Sequence, residues 1–568
     1  MVRTRSMAKG ESELCRSWYR LHNEVQDMIL HTVLLDARAN KYAANDSASG
    51  ATPCHHISFL ATVCLKWKVF FERNTFKQLV LVHSDLPVFQ EVVERSPVRL
   101  AYVHYVILRI QLPEYNCDDC KEEEDQYTIN RHHEIFSTSI RHLLKILSLW
   151  KPKMRGYAGR YTERSSQGLT LEIAISSPSD NQHMFFASRL EQDFPIRTSD
   201  DLNELKPLLL KYQDAKKRRD SNQSRGHSGN IMERYKGARR LYGTPLNLRP
   251  VRPVLPKAPI VTGLHLPRYT YRSIEVRSLA RILRQSLVAL KWIRFERCRA
   301  RSYLDEMRFI DDCNKTLIPS LPLSLEQLHM GHRFIYTHSR PLKMVDCEEE
   351  ELAKAMVSSQ IGMRKLSRFS ATSQISAIAF LDGLQSHRFG PGDDRVATIS
   401  TRPRYRWNNL RQLCLKAKAF SMSDTKEIHH LLQLAVGAVP NIPKLQVMEI
   451  WGSSPNGIVH LFQYKVEQRQ PTITWRCSEK QNLHLSRRII DHWIGVIDHV
   501  HPELRSLEVI EKTFEESVKE IQVSRGRFIH KHLALRRLIF DAVSFAQLEA
   551  EIAKAMRLHR LHYLKGTY

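Results

Sequence analysis

Val103-His104-Tyr105-Val106-Ile107-Leu108 carries apolar residues at its first, fourth and sixth positions. In an extended chain the last two of these point to one side and the residue between them points to the other. The same spacing recurs at Phe76, Leu79 and Leu81, and again at Leu287, Leu290 and Trp292. It continues at Leu325, Leu328 and Met330, at Leu410, Leu413 and Leu415, and at Leu445, Met448 and Ile450. Leu504, Leu507 and Val509, and then Leu535, Leu538 and Phe540, complete the series. This is the strand core of a leucine-rich repeat, whose short strands stack in parallel along the inner face of a curved body. The intervals are irregular, and a general α/β domain with a mixed sheet is the alternative.

Helical stripes fall between the strand signals. Phe136, Ile140, Leu143, Leu144 and Leu147 make one, ending near Trp150, and Leu485, Ile489, Trp493, Ile497 and Val500 make another. A short helix is expected over Leu86 to Arg95 after Asp85, and Glu348 to Glu351 suit a helix start, where carboxylates meet the positive end of the dipole. Gly168 to Ile175 alternates as a strand. Ile458 to Tyr464 and Thr472 to Trp475 read as a hairpin joined through Gln468 to Pro471. Strand–helix–strand units favour parallel pairing with right-handed crossovers.

Before the first strand signal the pattern is purely helical. Leu21, Val25, Met28, Ile29 and Val33 give one amphipathic helix over Asn23 to Leu35. A soft interruption over Ala39 to Pro53 follows, and then Ile57, Leu60, Cys64, Trp67, Phe70 and Phe71 resume the period. The expected fold class is therefore α/β: a short helical module, then an irregular strand–helix solenoid with an inserted hairpin. The expected units are 15–75 (helical), 76–200 (first repeats), 201–260 (basic, Pro-rich linker or insertion) and 261–568 (repeat-like body).

The 568 residues include 86 Lys plus Arg against 60 Asp plus Glu, a net charge of +26. Such an excess points toward polyanions, nucleic acid first, although charge governs association and not fold. Lys216, Lys217, Arg218 and Arg219 form its densest run and suit a nuclear-import or nucleic-acid contact, or simply a solvated linker. The 10 cysteines are sparse and scattered, as in reduced cytosolic or nuclear proteins. No apolar run reaches the ~18 residues of a membrane span, and no signal-peptide core follows the basic start, so a cytoplasmic or nuclear location without membrane contact is expected.

Cys117-Asp118-Asp119-Cys120 is half of a zinc pattern, with His132 and His133 the nearest partners. Two reduced loop thiols are the plainer reading. The sequence contains no Gly-x-x-x-x-Gly-Lys-Ser/Thr, Gly-x-Gly-x-x-Gly, Gly-x-Ser-x-Gly or His-Glu-x-x-His motif. The expectation is a protein that is not an enzyme and uses no cofactor.

Two regions resemble a family of F-box-like proteins of filamentous fungi. One runs from Ile57-Ser58-Phe59-Leu60-Ala61-Thr62-Val63-Cys64 through Trp67 to Leu81, Leu112-Pro113-Glu114-Tyr115-Asn116-Cys117 and Gly168-Leu169-Thr170-Leu171-Glu172. The other comprises Met448-Glu449-Ile450-Trp451, Pro471-Thr472-Ile473-Thr474-Trp475-Arg476 and His530 to Val543. The resemblance implies a degenerate F-box that docks on the adaptor subunit of a cullin-type ubiquitin ligase, with the body recruiting a protein substrate. Leu21, Val25, Met28, Ile29, Leu60, Val63 and Trp67 would be its docking and core residues. The family's opening Leu-Pro-x-Glu-Ile stands here as Leu21-His22-Asn23-Glu24-Val25, without the proline. The alternatives are a nucleic-acid-binding protein using its basic surface, or a scaffold that has lost adaptor binding.

Overall fold

A computed structural model describes residues 18–44, 57–150, 168–181, 240–298, 303–333, 346–385, 405–479 and 484–549, apart from short breaks inside these ranges. Twelve strands form one sheet in strict chain order. They are β1 (Gln78–Leu81), β2 (Tyr105–Gln111), β3 (Leu169–Ser176), β4 (Val261–Leu266), β5 (Trp292–Cys298) and β6 (Gln327–Arg333), then β7 (Arg368–Ala371), β8 (Gln412–Lys416), β9 (Val447–Ser453), β10 (Val459–Glu467), β11 (Gln470–Cys477) and β12 (Glu508–Thr513). Neighbours pair in parallel except β10, which runs antiparallel to both β9 and β11. The expected solenoid-like α/β architecture is what the chain adopts, and β9, β10 and β11 carry the expected hairpin.

One ladder of apolar residues runs across the whole sheet in register. It passes from Leu79 through Val106, Leu171, Leu264, Ile293 and Leu328 to Phe369, and on through Leu413, Met448, Tyr464 and Ile473 to Val509. The helices that return from one strand to the next cover this face and bury a single continuous core. Val276–Gln285, Asp346–Val357, Ala377–Leu384, Thr425–Ala438 and Arg487–Val500 supply much of it. Local chemistry fixes their starts: Asp424 and Ser376 cap two of them by accepting backbone N–H bonds from Lys426 and Ala379.

Four readings of the sequence need correction. Leu287-x-x-Leu290-x-Trp292 lies three residues early and Leu504-x-x-Leu507-x-Val509 two residues early, because the ladder positions that their middle members should hold are Ile293 and Val509. Leu535, Leu538 and Phe540 are not in a strand: Arg536–Ile539 is a turn of helix in a segment that leaves the repeat pattern. β4 and β7 were not anticipated: Ala371 stands where the pattern has a large residue in β7, whereas β4 carries the full spacing at Val261, Leu264 and Leu266 directly after the Pro-rich run. The end of the expected linker, from residue 240, is packed: Leu241, Leu246, Leu248, Leu255, Ala258 and Ile260 are all buried.

The β10–β11 turn is Gln468-Arg469, with φ of 49° and 65°. Both residues therefore sit in the left-handed region that a two-residue hairpin with the strands' own twist demands. At Gly452 a Cβ would lie 2.6 Å from the Ala417 carbonyl oxygen, so a bare backbone lets the chain after β8 cross close over β9.

His460 on β10 is fully buried between Trp475 and Phe420, with ring centroids 5.5 Å away in each case. Burial lowers its pKa to about 4, against a weaker pull upward from the Phe420 carbonyl. The unfolded chain takes up this proton near pH 6.5 and the folded chain near 4, so the site's contribution to stability is lost as pH falls between those values. The linkage is worth about 2 kcal/mol between pH 7 and pH 5. Denaturation midpoints at the two pH values are expected to fall further in wild type than in His460→Gln; equal falls would remove the assignment.

Candidate functional site

The residue between the two ladder positions of each strand points away from the helices, onto the concave face. From β3 to β9 these residues are Glu172, His265, Arg294, His329, Ser370, Cys414 and Glu449, aligned one against the next. An open solenoid would solvate such a row, yet all seven are buried. The cause is the segment after β12, which returns across the concave face. Phe514, Ile521, Phe528, Ile529, Leu533 and Leu538 pack there on Cys414, Val447, Trp451, Val459 and Leu461. Polar bonds fix the segment's register. Glu449 accepts the backbone N–H groups of Ala534 and Leu535 at 2.7 and 2.8 Å. Arg294 donates to the Arg537 carbonyl at 2.6 Å, and Arg268 to the Ser544 carbonyl at 3.3 Å.

The densest chemistry surrounds His265. Its Nδ1 lies 3.3 Å from Glu172 Oε2 and 3.1 Å from the Tyr105 hydroxyl. Tyr105 donates to the same carboxylate at 2.5 Å, and Tyr269 donates to its other oxygen. On the opposite side of the ring, Nε2 faces Asp541 Oδ2 at 3.3 Å and Glu296 Oε1 at 3.8 Å. Ser544 Oγ donates to Asp541 Oδ2 at 2.7 Å and lies 3.4 Å from Glu296 Oε1. Burial draws the His265 pKa down, and Asp541, Glu172 and Glu296 more than reverse it, leaving it well above the ordinary value. Asp541 is held well below the usual carboxylate range: burial opposes this, and His265, Arg294 and Ser544 outweigh it. Among the described residues, His265, Glu296 and Asp541 are the group whose ligand atoms converge closely enough to hold a cation, all within 4.8 Å of one another.

Neighbouring groups are poor nucleophiles and bases. His329 Nδ1 and Ser370 Oγ stand 2.6 Å apart, but burial, Arg294 and His265 push the imidazole pKa well down. Burial and then Glu449 push the Cys414 thiol well up, so it stays protonated.

The N-terminal helical unit is a second surface of interest. Asn23–Ala44, Ile57–Leu60 and Leu65–Phe76 enclose a small core of Leu30, Leu34 and Phe71, with Trp67 edge-on to Trp18 at 5.6 Å. The residues expected there divide cleanly. Trp67, Leu60 and Ile29 are part-buried, whereas Leu21, Val25, Met28 and Val63 face outward, with Met28 69% and Val63 54% exposed. Phe59 and Leu65 join them at 65% and 73%. Lys66 Nζ reaches Asn23 and Gln26 at 3.2 and 2.7 Å, so the starts of the two longer helices lie side by side. Leu21, Val25, Val63 and Leu65 all fall within a turn or so of that junction in sequence.

Cys117, Cys120 and Lys216 to Arg219 lie outside the described residues. Sequence reading missed the concave row, although its signal was present. It is the middle residue of each apolar-x-apolar pair, which changes from Val80 and Ile107 to charged and polar groups from Glu172 onward.

Residues 320–541 match a domain family of unknown function, DUF6546. The matched stretch takes in β6 to β12 and the returning segment as far as Asp541. Glu172, His265 and Glu296 lie before it, so the cluster joins the last matched residue to earlier repeats. No curated protein and no solved structure matches the chain. Among the described residues no helix is long and apolar enough to cross a membrane.

Proposed function

We propose that this chain is a non-catalytic recognition protein whose N-terminal helical unit docks on the adaptor subunit of a cullin-type ubiquitin ligase, with the repeat body recruiting a protein substrate. The observation that carries this reading is the outward apolar set Leu21, Val25, Met28, Phe59, Val63 and Leu65. Large apolar groups exposed together mark partner surfaces, and this unit already has its own small core to fold around. The buried strand row supports a recognition role over catalysis, since its Ser370–His329 pair and Cys414 are covered. The returning segment covers the concave face from β4 to β9, so a substrate is expected to engage the convex face or the rims.

Met28→Glu and Val63→Glu change exposed side chains and leave the small core intact. In a pull-down of the full chain with purified adaptor subunit, wild type is expected to bind at micromolar or tighter affinity, and each variant at least tenfold more weakly. Absence of wild-type binding would sink the adaptor reading. Salt-sensitive binding of mixed RNA would then favour nucleic acid as the partner, consistent with the net charge of +26.

A further inference from the structure

Three acceptor atoms converge on one point at the seam between the concave face and the returning segment. They are His265 Nε2, Asp541 Oδ2 and Glu296 Oε1. The Glu172 carboxylate, itself anchored by the Tyr105 and Tyr269 hydroxyls, can only accept hydrogen bonds when ionised, so Nδ1 is the ring nitrogen that carries hydrogen toward it. With the Nε2 proton displaced by a metal ion, that assignment turns the Nε2 lone pair toward the two carboxylates; without the ion the same carboxylates hold the imidazole protonated. Nε2 makes no hydrogen bond, although the residue is only 3% exposed. Ser544 can supply one hydrogen and gives it to Asp541 at 2.7 Å. Two carboxylates facing one imidazole nitrogen in a dry interior repel unless a proton or a metal ion lies between them.

The distances say which kind of cation. A charge-assisted hydrogen bond draws nitrogen and oxygen to about 2.7–2.9 Å. Ligands held about 2.0–2.2 Å from a tetrahedral ion stand about 3.3–3.6 Å from one another. Nε2 to Asp541 at 3.3 Å lies on such an edge and Nε2 to Glu296 at 3.8 Å is slightly longer than one, and both are longer than a charge-assisted hydrogen bond. A carboxylate on the far nitrogen of a ligating histidine fixes its tautomer and raises its basicity, the place Glu172 occupies. One imidazole with two carboxylates suits a zinc-type ion more than calcium or magnesium, which prefer all-oxygen shells.

We propose that His265, Glu296 and Asp541 bind a zinc-type divalent transition-metal ion, supported by Glu172, and that this ion ties the C-terminal segment to the concave face. Two ligands stand on adjacent strands, β4 and β5, and the third arrives from the end of the chain's return. Three protein ligands leave one position for water.

The test uses the full chain, stripped with a chelator and titrated calorimetrically with zinc, with magnesium and calcium as controls. Wild type is expected to take up one zinc ion at this site at micromolar or tighter affinity. The near-isosteric variants Asp541→Asn and Glu296→Gln are each expected to weaken that uptake at least a hundredfold. The pair Cys117→Ser with Cys120→Ser is expected to leave it unchanged. Zinc should also slow protease cleavage within 527–549 in wild type and have no such effect in Asp541→Asn. No uptake by folded wild-type protein would overturn the proposal, leaving an imidazolium clamped by carboxylates as the content of the site. Uptake undiminished in both carboxylate variants would overturn it equally. Should either of those fail to fold, Glu172→Gln decides: a drop of about 10–100-fold supports the site, and an unchanged affinity rejects it.

Discussion

Replacing Glu449 by alanine is expected to detach the C-terminal segment from the concave face while leaving the repeat body folded. Glu449 is fully buried on β9, and its two oxygens accept the backbone N–H groups of Ala534 and Leu535 as well as the Gln463 amide. Burial pushes its carboxyl above the usual range, against the pull of those same donors. Alanine leaves the N–H of buried Leu535 without an acceptor, at a cost of roughly 1–3 kcal/mol, whereas Ala534 is exposed and its N–H can turn to water. A loss on the order of 2 kcal/mol is about thirtyfold in the opening equilibrium. The strain falls on one element, because the ladder residues Met448 and Ile450 on either side belong to the main core. Local opening sets amide exchange and protease access. Exchange within 527–549 is therefore expected to accelerate at least tenfold in Glu449→Ala, and exchange in β3 to β8 to change little. Glu449→Gln keeps one acceptor oxygen and should fall between. Equal acceleration everywhere would mean that the segment and the body unfold as one unit.

The repeat architecture was readable because its signal is redundant. The triplets headed by Phe76, Val103, Leu325, Leu410 and Leu445 each place their last two members on the ladder. They do so because a buried strand face tolerates little but large apolar groups. Two failures differ in cause. Leu287 begins a run in which the loop before the strand is also apolar, so the spacing matches again at Leu290, Ile293 and Phe295; at Leu504 the strand's own frame is Ser506, Val509 and Glu511, and the apolar loop residues carry the stronger signal. Leu535, Leu538 and Phe540 mimic the same spacing for another reason: a turn of helix lying on an apolar floor needs residues three apart. β7 was lost where Ala371 replaces a large residue, but β4 kept the full spacing at Val261, Leu264 and Leu266; on its other face the Trp292 side chain fills the space a Cβ at Gly263 would need.

The candidate cluster was harder to see. Glu172, His265 and Glu296 were legible as outward positions of strands once register was known. Their burial was not, because it depends on a return of the chain that brings Ser544 to Arg268 across 276 positions. No local pattern carries that information. On the N-terminal unit the reverse holds: Leu21, Val25 and Met28 were legible as a stripe, but a stripe alone does not say which members turn inward. Gln26 and Leu30 take the buried side, and Gln26 satisfies its amide on the Trp18 and Leu21 carbonyls at 2.9 and 2.8 Å. Val25 and Met28 are left to solvent, which is why the docking reading rests on them.

The second large effect is expected at Glu306. Arg297 leaves β5 toward the helix-covered face and donates Nη1 and Nη2 to the two oxygens of Glu306, at 3.1 and 2.7 Å. Both side chains are buried, and the guanidinium carbon lies 3.5 Å from the centre of the Phe309 ring. Forming such a pair gains little net, because desolvation consumes most of the attraction; breaking it strands a charge and costs about 3–5 kcal/mol. Glu306→Ala is therefore expected to lower the denaturation midpoint more than any substitution of an exposed residue in the same helix, Tyr303–Asp312. Arg308→Ala in that helix removes a partly exposed contact with Asp305 and should cost well under 1 kcal/mol. The decisive comparison is the double variant Arg297→Met with Glu306→Leu. If the loss in Glu306→Ala comes from an uncompensated buried charge, the apolar pair regains most of it, as packing against Phe309 persists without a charge to bury. If the double variant is as unstable as Glu306→Ala, the pair contributes specific geometry that methionine and leucine cannot replace. The Arg297 fork would then be what sets the position of β5, and with it Glu296 on the opposite face.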